Sequence, residues 1–167
     1  FHPDRFLTRL EPFVRPFLGV GFLAVWFALV LIALLPVGSE WERFLASGRG
    51  LLSTGNGIWI LVACAGLKRR HEMGHGLLTK RYGGTVPEMG VILLFLSPLG
   101  YVDASGSWSF RSKWQRIHVA LGGMFVEILV ASLAVIVWSQ AEPGFARSFA
   151  CDVVFMASVS TVLVNAN

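Results

Sequence analysis

Residues 17–35 (FLGVGFLAVWFALVLIALL) carry no charge over 19 positions, and the uncharged stretch extends from Pro16 to Ser39. A helix rises 1.5 Å per residue, so crossing roughly 30 Å of hydrocarbon takes about 20 apolar residues. The run meets that length. A signal peptide would have a shorter apolar core followed by a small-residue cleavage site, a poorer match. Composition points the same way: hydrophobic residues make up 54% of the chain and charged residues 14%, against about 25% charged in soluble domains. That combination argues against a disordered chain, a nucleic-acid-binding domain and an ordinary soluble enzyme. The net charge of +4 comes from basic residues flanking apolar runs, where they act as membrane orientation signals.

Further runs follow the first. Gly50–Leu67 is uncharged and ends at Lys68-Arg69-Arg70; its apolar pattern continues to about Tyr82, where Gly83-Gly84 should stop a helix. Met89–Val102 is apolar but broken by Pro98 and Gly100. It is too short to span as a helix, so a re-entrant segment or a buried strand pair is expected. Ile117–Trp138 is a further spanning candidate, interrupted by Glu127, and Val153–Asn167 is apolar to its end. The expected fold is an all-α integral membrane protein with about four transmembrane helices. Its spans fall at 17–37, 51–82, 117–138 and 149–167, with a re-entrant or short β segment around 89–102. We expect one membrane-embedded domain over 1–167. The chain opens on Phe1 and stops at Asn167 inside an apolar run, so truncation at both ends is also expected.

If the N-terminus is cytoplasmic and each span crosses once, eleven of the fourteen Lys and Arg face the cytoplasm. Only Arg43, Arg49 and Arg147 fall on the other side, the bias that sets orientation in membranes. Trp41, Trp108, Trp114 and Trp138 lie near run ends, where an interfacial belt or simple loop packing would place them.

His71-Glu72-Met73-Gly74-His75 is an H-E-x-x-H motif on a predicted helix. Positions four apart differ by about 40° around the axis, so both imidazoles can share one metal. Zinc in catalytic sites takes three protein ligands plus water, and the glutamate beside the histidines can take that water's proton. A third ligand is harder to find. His2 and His118 suit interfacial positions. Asp103, in GYVDASGSW, is the best internal candidate, although Asp before Ser and Gly also suits a turn. Glu127 is a carboxylate inside a span, costly unless paired or protonated. It is expected to hydrogen-bond a neighbouring element, with Gly122-Gly123 letting helices approach closely; a part in catalysis is the alternative.

HEMGH on a membrane helix, a broken apolar segment, and a later span carrying small residues and a glutamate together resemble the site-2 protease family of intramembrane zinc metallopeptidases. RYGGTVPEMGVILLFLSPLGYVDASGSW, GGMFVE and STVLVNAN are closest to a bacterial subgroup of peptide zinc metalloproteases found beside membrane-fusion secretion components. The resemblance implies His71 and His75 as zinc ligands, Glu72 as general base, and Asn165 as an active-site neighbour from an Asn-x-x-Pro motif. It places the third ligand, an aspartate of an Asp-Gly motif, about six residues past Asn167, so residues 1–167 alone are expected to be inactive. Gly122-Gly123-Met124 departs from the commoner Ala-Gly-Pro. Arg69-Arg70, where an apolar pair is common, would put the zinc near the cytoplasmic surface. The implied function is hydrolysis of a membrane-associated or exported peptide in the bacterial inner membrane. Its implied partners are the peptide or membrane-protein substrate, the bilayer and a membrane-fusion secretion component; no nucleic acid is expected. A non-catalytic membrane component of a peptide export or self-protection system is the alternative. A transporter subunit would want a repeat, and none is visible.

Overall fold

The computed structural model describes residues 2–51, 53, 55–94 and 97–161, with the side chains of 92–99 left aside. The described residues include six α-helices, one strand pair and two 3-10 helices (Arg15–Leu18 and Ser105–Ser109): α1 Asp4–Val14, α2 Val20–Ser39, α3 Trp41–Gly48, α4 Gly57–Arg81, β1 Met89–Leu94, β2 Ser97–Val102, α5 Lys113–Gln140 and α6 Phe145–Val159. Two of them are long and apolar enough to cross a membrane, α2 and α5.

Boundaries differ from the sequence reading in instructive ways. The first apolar helix starts at Val20, because Pro16 sits in a 3-10 turn (Arg15–Leu18) and Gly19 is extended. The helix bearing HEMGH starts at Gly57, after backbone turns at Gly50, Leu51, Ser53 and Asn56. Its end matches the expectation. Gly83 adopts φ +80, with Gly83 N–H donating to Lys80 and Gly84 N–H to Thr79, both at 2.9 Å. That is the Schellman arrangement, in which glycine takes the left-handed position. The broken apolar segment forms an antiparallel pair, with Met89 opposite Val102 and Leu94 opposite Ser97. The final helix begins at Phe145 and is followed by a π turn at Ser160–Thr161; the rest of the expected fourth span lies outside the described residues.

The chain packs as two compact units. One comprises residues 1–23 and 68–126. Its core joins buried Leu7, Leu77 and Val86, with Leu10, Val14, Met89 and Val102 against them. The amphipathic α1 supplies Leu7, Leu10 and Val14 from one face. The other unit comprises residues 24–67 and 127–167, around Ala33, Phe44, Val135, Trp138, Cys151 and Val154. Phe44 stacks on Phe155 and meets Trp138 edge to face, with centroids 5.5 and 5.3 Å apart. Trp138 is fully buried and donates Nε1–H to Ser47 Oγ at 3.1 Å. It therefore packs the core of this unit and does not join an interfacial belt. Trp41, Trp108 and Trp114 are exposed.

Candidate metal centre

Helix periodicity sets the site. His71 and His75, one turn apart on α4, bring their rings together nearly perpendicular, with centroids 4.6 Å apart. Their Nε2 atoms lie 2.9 Å from each other. His75 Nδ1 is 2.6 Å from the carbonyl oxygen of Val119 on α5. A carbonyl only accepts, so Nδ1 carries the proton and Nε2 of a neutral His75 keeps its lone pair. Such outer hydrogen bonds orient metal-binding imidazoles. His71 is buried and lies against Gly123, where a Cβ would collide with the ring. Gly74 and Gly122 make the same helix crossing possible: a Cβ on Gly122 would stand 2.9 Å from the Gly74 carbonyl oxygen. The expected close approach at Gly122-Gly123 is thus a seat for the first histidine.

Glu72 and His75 both line a cavity of about 640 Å³, with Asp103, Arg116, Trp108 and Val119 among its other walls. Strand β2 passes at Gly100, whose added Cβ would be 3.4 Å from Glu72 Cγ. Asp103 Oδ1 accepts the Ser105 N–H at 2.9 Å, the turn geometry that its neighbours suggested. Hydrogen bonds from the Ser105 side chain and backbone hold its carboxyl below the usual carboxylate range. Among the described residues, no group of three or more His, Cys, Asp or Glu is arranged to hold a metal. The other two histidines are engaged elsewhere. His2 Nδ1 is 2.8 Å from the Pro87 carbonyl oxygen, and His118 Nδ1 is 2.7 Å from Tyr82 Oη. Asn165 lies outside the described residues.

The family model for peptidase family M50 matches residues 59–166, from the first turns of α4 onward. The chain belongs to peptidase family M50. No curated protein and no solved structure matches it. M50 proteins are membrane-embedded zinc metallopeptidases in general, and the donor chemistry here fits that metal. Zinc–imidazole bonds are about 2.0–2.1 Å, so one ion can reach two nitrogens 2.9 Å apart. The sequence reading named the two histidines and the glutamate as candidates; the structure adds the Val119 carbonyl beside His75 and the contact of Gly123 with His71, which that reading did not include. Nothing in the local pattern marks a backbone carbonyl 44 residues away. Arg116, the one lysine or arginine on the cavity wall among the described residues, was read only as an orientation charge.

Proposed function

We propose that this M50 protein is an intramembrane zinc endopeptidase that hydrolyses a membrane-associated or exported peptide, with His71 and His75 holding zinc and Glu72 acting as general base. One observation carries the reading: two imidazole nitrogens converge at 2.9 Å beside a glutamate on the wall of an accessible cavity. When bound, zinc supplies Lewis acidity and brings the pKa of water toward 7. Glu72 takes the proton of the attacking water and returns it to the leaving amine. His75, with Nδ1–H donated to the Val119 carbonyl, keeps its Nε2 lone pair for the metal on the side of His71. The third ligand is the aspartate that the family resemblance places after Asn167, with Asn165 a neighbour of the active site; Asp103 is the alternative within the described residues.

The lysine and arginine bias supports a cytoplasmic N-terminus and a zinc site near the cytoplasmic face of a bacterial inner membrane. A membrane-fusion secretion component is the proposed partner.

The test uses the full-length protein in detergent or vesicles. Glu72→Gln should keep its zinc and lose cleavage by about 10²–10⁴-fold, the usual value of a general base. His71→Ala with His75→Ala should lose the metal. Full cleavage by Glu72→Gln, or unchanged zinc in the double variant, overturns the assignment.

A further inference from the structure

The short helix α1 has two working faces. Leu7, Leu10 and Val14 turn into the core of their unit. At 100° per residue, Arg5, Arg9, Phe13 and Phe6 fall within an arc of about 100° on another side, and all four are exposed. Asp4 and Glu11 fall on neither. Among the described residues, no carboxylate pairs with Arg5 or Arg9, while Asp4 is committed to Lys80 at 2.9 Å and to the Val86 N–H at 2.8 Å. An exposed stripe of aromatic and basic side chains is the composition of helices that lie in the headgroup layer.

The chain itself says what covers this stripe. Only a 3-10 turn and Gly19 separate α1 from α2, the apolar candidate span of which 6% is buried by protein. Phe17 packs edge to face on Phe22 of that span, centroids 5.2 Å apart. Exposed apolar surface therefore runs from Phe13 through Phe17 to Val20 without a polar break other than Arg15. A helix tethered this closely to a span lies where headgroups are, and guanidinium groups match phosphate oxygens in charge and geometry.

We propose that α1 is an interfacial helix whose face of Arg5, Phe6, Arg9 and Phe13 binds the headgroups of anionic phospholipids beside the first span. Phe6 and Phe13 enter the acyl boundary while Arg5 and Arg9 take the phosphates. Through Asp4 and Lys80, the same helix contacts α4 five residues beyond His75, so the lipid-facing helix touches the histidine-bearing helix directly.

The proposal is read by lipid binding and is independent of proteolysis. Native mass spectrometry of the full-length protein, titrated with phosphatidylglycerol and with phosphatidylcholine, should show tighter binding of the anionic lipid. Arg5→Gln with Arg9→Gln should weaken phosphatidylglycerol binding by about fivefold per arginine, with phosphatidylcholine unchanged. Arg5→Lys with Arg9→Lys should restore most of the preference, which a merely misfolded variant would not. A spin label at Phe13→Cys in mixed vesicles should be shielded from a water-soluble relaxation agent. No preference for the anionic lipid, an unaltered preference in the glutamine variant, or a fully accessible label at position 13 overturns the proposal.

Discussion

Glu72 and Glu127 are both carboxylates on long helices, one in each compact unit, and their surroundings are opposite. Glu72 stands on a cavity wall beside a histidine. Glu127 is fully buried and accepts hydrogen bonds from Ser160 Oγ at 2.8 Å and Thr161 Oγ1 at 2.9 Å. Asp152, equally enclosed, accepts one from Asn56 Nδ2 at 2.8 Å. A buried carboxylate is tolerated when hydroxyl or amide donors replace its water, and such a pairing holds elements together. A carboxylate left at the edge of a cavity can exchange protons with what enters. The contrast separates a carboxylate enclosed by hydrogen-bond donors from one that faces a cavity, the position that the proposed general base requires. Glu127 thus takes the hydrogen-bonding role expected from its position in an apolar run.

The sharpest way to break this comparison is Glu127→Ala. Two hydroxyls lose that acceptor, at about 1–3 kcal/mol each if buried, so thermal unfolding should shift markedly downward while zinc stoichiometry stays at that of the wild type. Glu127→Gln, which still offers an oxygen, should cost less. Zinc loss from folded Glu127→Ala would show that the distinction between the two glutamates is false. A second and smaller effect concerns the seat of His71. Gly123→Ala places a methyl against the imidazole, and disturbing the support of a metal ligand typically costs about 10–100-fold in affinity. Gly38→Ala, with open space around its Cβ position, should leave zinc affinity unchanged, and competition with a chelator reads both. Equal affinities would remove Gly123 from the site.

The smallest effect is at Asp4. Its carboxyl lies below the usual range, chiefly because the Val86 N–H donates to it and next because Lys80 does. A carboxyl depressed in the folded state stabilises above the unfolded value of about 3.9 and loses that contribution as pH falls through the lower folded value. Asp4→Asn should therefore be less stable than wild type at pH 7, and the gap should close below about pH 4. With the Asp4 side chain 38% exposed, solvent screening keeps the difference under about 1 kcal/mol. A gap that persists at low pH would assign the effect to packing.

What the sequence determined by itself was whatever depends on spacing along one element. The one-turn separation of His71 and His75 puts both rings on one side of α4, and Gly83-Gly84 ends that helix, because both follow from local backbone geometry. The apolar runs of α2 and α5, and the strand pair over 89–102, were legible for the same reason, although Pro98 and Gly100 lie within the second strand and not between the two. Tertiary structure decided the rest. Val119 reaches His75 over 44 residues and Asp4 reaches Val86 over 82; these partners are set by how elements cross. Likewise Trp138 is a core residue because α3 and α6 cover it, and α1 is a helix with a buried face because Leu77 and Val86 give that face something to pack on. Local spacing fixes the direction of a side chain relative to its own helix. Only packing fixes what it meets there.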